Sequence, residues 1–444
     1  MAPLALFLCL VFIAWLQVRD FKRHKSVSVA LWMPTFMALI LASRTPSGWL
    51  GGSTVRTGLP NDAAGNLLDQ GFFLLMIVGS WIIASSRGVK WNKLFAANTA
   101  IMLFYFYFVI SSLWSDYPGD SLIRVLKDFG TTVFVISVIL SEKDPLEAVR
   151  TVYTRCACVL FPLSVFFMKY NYHGLGWNYG KNGTPIFTGV TVQKNSFGEM
   201  ILVFSFFLVW DHLETRPAGA KWPWSGMGWD RFVLLLMGSW LLHLSQSATS
   251  LVGLVIGLAL IFRSGWLASR MITRMIFVAA LSLPLLLFFT QHFTSIFTPI
   301  LEALGRDVTF TGRTDIWKNI TSTTVNPLVG AGFWTFWGGK GGQAINEAMQ
   351  TVIPNAHSGY LDIYIDGGII GLTLLFSVLF TSGRRIIANF DVNRYQRVRF
   401  AFLIVAIVVN LTETNFARPS LIWFATLLVL LEFPFLKANE TSSY

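Results

Sequence analysis

An all-α, polytopic membrane fold is predicted by three observations. Apolar residues make up 54% of the 444-residue chain and charged residues only 13%, at a mean hydropathy of +0.58, far more apolar than a soluble core requires. Thirteen apolar stretches follow one another, at about 3–18, 27–42, 67–86, 94–114, 122–140, 152–168, 197–210, 231–246, 250–263, 275–292, 358–382, 399–416 and 419–436. Several are short against the roughly 20 residues a span needs, so about 12–13 transmembrane helices are expected. The loops between them alternate in charge, 22 Lys and Arg falling in one set and 10 in the other. This is the positive-inside pattern, and it accounts for the net charge of +11 without nucleic acid as a partner.

The basic loops are therefore cytoplasmic, and residues 1–444 are expected to form one polytopic membrane domain. The first apolar run, Leu4 to Val18, has no basic residues ahead of it and is followed by Lys22, Arg23 and Lys25. That is the reverse of a secretory signal, so it reads as a retained helix. Cys9, Cys156 and Cys158 all lie in apolar runs, which suits packing rather than disulfides or metal. Two long loops, 169–196 and 293–357, face outward. The second is too rich in Trp, Phe and Ile to be disordered and should contain short surface helices such as Thr314 to Thr323. No repeat at a fixed period and no low-complexity segment is visible.

The stretch from Asn355 to Leu375 begins polar and ends as membrane. Asn355 is a good N-cap, which predicts a helix from Ala356 with His357 in its first turn. The positive end of a helix disfavours imidazolium and attracts phosphate, as a general base beside a phosphorylated substrate requires. Asp362 and Asp366 are four residues apart on one face, while Gly367, Gly368 and Gly371 would let another helix approach closely. As one of six histidines, His357 is otherwise read as a hydrogen-bonded structural residue.

The chemistry is narrowed by what is missing. There is no G-x-x-x-x-G-K-[ST], no H-E-x-x-H, no G-x-S-x-G and no D-x-D pair. An enzyme of this kind needs a substrate already activated, such as a sugar on a lipid diphosphate, and outward cations to meet the charge on the leaving diphosphate. Three places supply them. Trp114-Ser115-Asp116-Tyr117-Pro118 opens a helix carrying Arg124 and Lys127, whose charges inside a span are costly and functional by default. The plainer reading pairs Arg124 with Asp120 or Asp128 and lets Lys127 snorkel. Gln193-Lys194-Asn195-Ser196 precedes a span, where Lys194 and Asn195 either meet substrate or are solvated loop residues. Gly312-Arg313-Thr314-Asp315-Ile316-Trp317 offers a planar guanidinium for phosphate oxygens and an indole ring for sugar faces, against a simple Arg313–Asp315 or Arg313–Asp307 surface pair.

These pieces together resemble a family. W-S-D-Y-P-x-x-S-x-x-R (114–124), Q-K-N-S-x-G (193–198), L-S-Q-S-A-T-S (244–250), G-R-T-D-I-W (312–317), N-P-L-V-G-A-G-F (326–333) and N-A-H-S-x-Y-L (355–361) are similar to motifs of the O-antigen ligase and Wzy-type polysaccharide polymerase superfamily, in its exopolysaccharide-production branch. The resemblance implies a multi-pass protein of the bacterial inner membrane, its active site facing the periplasm. It implies metal-independent, inverting glycosyl transfer from an undecaprenyl-diphosphate-linked glycan, with no cofactor. His357 would be the base and Arg313 would hold the diphosphate, with Arg124, Lys127, Lys194, Asn195, Asp315, Trp317 and Tyr360 as further substrate contacts. Partners would be the lipid-linked donor and acceptor, the bilayer, and proteins of chain-length control and export. Ala248 stands where ligases of the family often carry Arg. This favours a polymerase of repeat units over a ligase to lipid A core; the reading from another class is a transporter or flippase of lipid-linked sugars.

Overall fold

In the computed structural model, residues 2–24, 26–51, 66–180, 183–217, 219, 222–262, 269–290, 313–322, 325–390 and 394–434 are described, with backbone alone at 287–290, 313–315, 321–322 and 394. Each of the thirteen predicted apolar stretches overlaps a helix, although 399–416 and 419–436 run beyond theirs. In chain order these are α1 (Ala2–Arg23), α2 (Trp32–Leu41), the short α3 (Pro46–Trp49), α4 (Leu67–Ser86), α5 (Trp91–Ala97), α6 (Thr99–Ser111), α7 (Pro118–Phe129) and α8 (Val135–Leu140). There follow α9 (Pro145–Tyr170), α10 (Lys194–Thr215), α11 (Trp229–Ser245), α12 (Ala248–Phe262), α13 (Arg270–Thr290), α14 (Arg313–Ser322), α15 (Lys340–Met349), α16 (Gly359–Ala388), α17 (Arg394–Val409) and α18 (Leu421–Leu430). The chain is an all-α, multi-pass membrane protein.

Five of these helices, α1, α4, α9, α10 and α16, are each long and apolar enough to cross a bilayer alone. α5 and α6 are together long and apolar enough for one more crossing, but they are bent by 94°. The bend has a local cause in Asn98. Its side chain donates to the Leu94 and Glu432 carbonyls, both at 2.8 Å, and accepts from the Glu432 amide at 2.9 Å, bonds that a regular helix does not make there. The other predicted spans are shorter, bent or more charged than the pattern alone suggested.

α9 and α10 are the most enclosed of the five, with 83% and 89% of their most apolar windows buried. At their Arg155 and Asp211 end the bundle is tied by ion pairs. Arg155 meets Asp20 at 2.8 Å, Arg231 meets Asp211 at 2.6 Å and Arg23 meets Asp230 at 2.5 Å, so α1, α9, α10 and α11 are joined through charge as well as packing. At the other end, the first long loop folds into a feature absent from the sequence reading. Gly176–Tyr179 (β1) and Pro185–Gly189 (β2) pair as an antiparallel hairpin over the ends of α9, α10 and α11.

Helix α16 is the element that positions the site, and it is broken. Gly368 lies inside it at φ +62°, a conformation suited to glycine. The freed backbone groups find partners in Asn326–Gly332: the amides of Ile369 and Ile370 donate to the carbonyls of Pro327 (2.9 Å) and Leu328 (3.2 Å), and those of Ala331 and Gly332 donate to Ile365 (2.8 Å) and Asp366 (3.0 Å). The Tyr107 hydroxyl closes the seam on the carbonyls of Gly367 (2.7 Å) and Val329 (3.2 Å). The glycine run therefore admits both the 326–332 loop, at Gly368, and the neighbouring helix α6, whose Tyr107 and Phe108 rings lie against Gly367 and Gly371. A Cβ at Gly368 would overlap the Leu328 carbonyl. Gly368→Ala should accordingly cost about 2–4 kcal/mol through left-handed strain plus overpacking, read as a clear fall in the melting temperature of detergent-solubilised protein. An unchanged melting point would mean that the break is not fixed.

Candidate active site

The chain around His357 is a turn, and this corrects the expected helix start. α16 begins at Gly359, with Ser358 as its N-cap residue and no side-chain cap bond. Asn355 does accept from an amide two residues on, His357 N–H at 3.0 Å, but it closes a turn in which His357 is left-handed at φ +51°. The reason lies further along. The amide of Ala356, which a helix would leave unbonded, donates instead to both carboxylate oxygens of Asp362 (3.1 and 3.2 Å). Asp362, fully buried, also accepts from Trp337 Nε1 at 2.7 Å and Thr414 Oγ1 at 2.5 Å. The Trp317 indole donates to the Ala356 carbonyl at 2.8 Å. His357 is thus held by its own amide on Asn355 and by the bonds of Ala356, and it is half-buried.

A second turn was missed in the sequence. Residues 410–418, N-L-T-E-T-N-F-A-R, were mostly assigned to the span 399–416, but α17 stops at Val409 because Asn410 turns the chain, its side-chain oxygen accepting from the amides of Asn415 and Phe416 at 3.0 Å. The turn reaches every neighbour of the site. The carbonyls of Asn410 and Glu413 both accept from Gly359 N–H at 2.9 Å, Thr414 meets Asp362, and Thr412 meets Thr249 at 2.8 Å. Asn195 donates to Glu413 at 2.9 Å and Asn415 to the buried Glu199 at 2.6 Å. A carboxylate and two carboxamides inside an apparent span were the available signal.

One turn below Asp362, Asp366 is equally buried and pairs with Arg418 at 2.6 Å. The Arg418 guanidinium lies 5.0 Å from the Trp334 ring centre; Arg124 lies 5.2 Å from the same ring and donates to the Trp334 carbonyl. Rather than either acid named for it, Arg124 thus meets the 333–340 segment, as its motif does throughout. Ser121 donates to the Phe333 carbonyl at 3.1 Å, Ser115 and Thr335 share a bond of 2.6 Å, and Asp116 accepts from the Lys340 amide at 3.2 Å. Asp128 serves Tyr105 (2.7 Å) and Trp423 (3.1 Å).

The remaining candidates divide. Asn195 joins the His357 turn through Glu413, and Lys194 precedes it as the first residue of α10. Lys127 sets its ammonium 3.6 Å from the Phe73 ring centre on α4. Tyr360 is buried between Phe376 and Phe416, its hydroxyl donating to the Ile407 carbonyl at 3.1 Å. The side chains of Arg313 and Asp315 lie outside the described residues, although the helix that begins at Arg313 and runs to Ser322 matches the predicted one within a residue.

Comparison with known proteins bears on the chain as a whole. Residues 232–376, from α11 to the middle of α16, match the family described as O-antigen ligase. The family resemblance read from the motifs is thereby met. His357, Asp362, Asp366 and the Asn326–Gly332 segment all lie within this ligase-type stretch, while the 410–418 turn lies beyond it. The chain is also 28% identical, over 323 residues covering 70% of each protein, to the exopolysaccharide production protein ExoQ of Rhizobium meliloti strain 1021. A polysaccharide polymerase or ligase type of membrane protein is what both comparisons support.

Two substitutions test the geometry. Asp362→Ala leaves the Ala356 amide and the Trp337 indole N–H buried without acceptors, at about 1–3 kcal/mol each, so the solubilised protein should melt well below wild type. Arg418→Met strands the Asp366 charge and should cost about 3–5 kcal/mol; adding Asp366→Asn should recover part of that loss in the same measurement. Simple additivity of the two would show that they do not act as a pair.

Proposed function

We propose that this protein polymerises the lipid-diphosphate-linked repeat units of an exopolysaccharide at the outer face of the bacterial inner membrane, with His357 as general base. A ring nitrogen of His357 takes the proton of the acceptor hydroxyl as that oxygen attacks the anomeric carbon of the donor sugar. The bond from that carbon to the diphosphate oxygen breaks, and the lipid diphosphate leaves with the electron pair, so configuration inverts. Protonated His357 returns its proton to water. The leaving group is already activated, so neither ATP nor a metal is required.

What carries this reading is the half-exposed His357 turn, fixed by Asp362, Trp317 and Asn355 where a polar loop meets a membrane helix. A base whose backbone is held on both sides keeps its orientation as substrate arrives. Arg313 is assigned to the donor diphosphate, with Lys194 and Asn195, the latter bonded to the 410–418 turn through Glu413, as further substrate contacts. Arg124 supports Trp334 and acts on the site through it. A ligase that moves finished polysaccharide to lipid A core is the second reading, favoured by the family description over 232–376 and opposed by Ala248.

The test is the lipid-linked glycan profile of cells carrying His357→Ala, beside wild type and a deletion. Single repeat units should accumulate on the lipid at the outer face, with polymer reduced at least a hundredfold and protein still present in the membrane. Long lipid-linked polymer would instead mean a ligase. Units trapped on the cytoplasmic side would mean a flippase, and a wild-type profile would remove His357 from the chemistry.

A further inference from the structure

The hairpin of the first long loop carries aromatic rings that the packing of the protein does not account for. Its register sets Trp177 opposite Phe187 and Tyr179 opposite Pro185, so these four share one face. Phe187 anchors that face on the core. Tyr179 is 70% exposed, Trp177 is half-buried, and the two rings meet edge to face at 5.2 Å. Aromatic rings at the ends of membrane helices usually sit in the headgroup layer. Here the position argues against lipid. The hairpin joins α9 and α10, the two most enclosed spans, and covers their ends together with that of α11. What it packs on is therefore protein, the ends of three helices.

Such a pair of rings fits a sugar chain. One face of a pyranose is a patch of C–H groups with slight positive charge, which meets the negative face of an aromatic ring while the hydroxyls at its rim stay in water. The hairpin is also continuous with the site. Gly189, the end of β2, is five residues before Lys194 and six before Asn195, whose side chain bonds Glu413 beside the His357 turn. A bound glycan seated on the hairpin would have its end within the same loop cluster.

We propose that Trp177 and Tyr179 form a glycan-binding platform, separate from the reacting centre, which holds the saccharide chain several sugars away from the bond being made. This rests on the polymerase reading above only for the identity of the glycan, and it is tested by binding rather than turnover. Oligosaccharides released from the source cell's own exopolysaccharide, carrying no lipid, are titrated by calorimetry against the full-length protein in nanodiscs.

Wild type should bind measurably. Trp177→Ala/Tyr179→Ala should bind at least tenfold more weakly, and Trp177→Phe/Tyr179→Phe should bind within about threefold of wild type, since each keeps a ring. Binding by the double alanine variant equal to wild type would overturn the platform, as would no binding by wild type. If the double alanine variant kept wild-type binding but lost thermal stability only when moved between lipids of different headgroup, the pair would be a lipid contact. Failure of the polymerase reading would show separately, as a wild-type glycan profile in cells carrying His357→Ala.

Discussion

The buried carboxylate of Asp362 is the constraint on which the site depends. An unpaired charge there would be very costly, so its oxygens must be met by donors, and the donors come from three separate stretches of chain: the Ala356 amide, the Trp337 indole and the Thr414 hydroxyl. Satisfying one acid therefore brings the end of the long loop, its middle and the 410–418 turn to a single point. His357 inherits its position from that requirement. Its left-handed backbone, unusual for a residue with a Cβ, is tolerated because its own amide is held by Asn355 and both neighbours, Ala356 and Ser358, are bonded to Asp362.

Asp366 extends the same logic one helical turn deeper. Its partner Arg418 stacks on Trp334, Arg124 approaches the same ring, and the W-S-D-Y-P motif grips the chain on either side of it. The charges predicted inside spans are thus largely engaged with one another, with backbone or with rings. A broken helix containing buried charges is also what a transporter uses near the bilayer midplane. In this chain the break is filled by backbone from 327–332, whose amides and carbonyls take up the freed groups.

Much of the fold was legible because apolar runs report directly on membrane helices: all thirteen stretches overlap a helix. The site was legible in kind rather than in detail. Asn355 was read as a helix cap because its type and spacing suit one, and nothing local indicates that Asp362 would claim the Ala356 amide first. The 410–418 turn was hidden because its polar residues are few and dispersed among Leu, Phe and Ala, so a hydropathy pattern counts them as span. The hairpin was hidden for a different reason. Its two strands are four and five residues long, and only pairing across the turn identifies them. The helix after Gly312, by contrast, follows from local propensity and was placed within a residue.

The stretch from Asn326 to Lys340 has no regular helix of membrane length, yet nearly every residue in it closes a gap in something else: the α16 break, the Ser115 and Ser121 hydroxyls, the Arg124 guanidinium. In length, then, it is as constrained as any helix, because an inserted residue would shift every one of those bonds out of register.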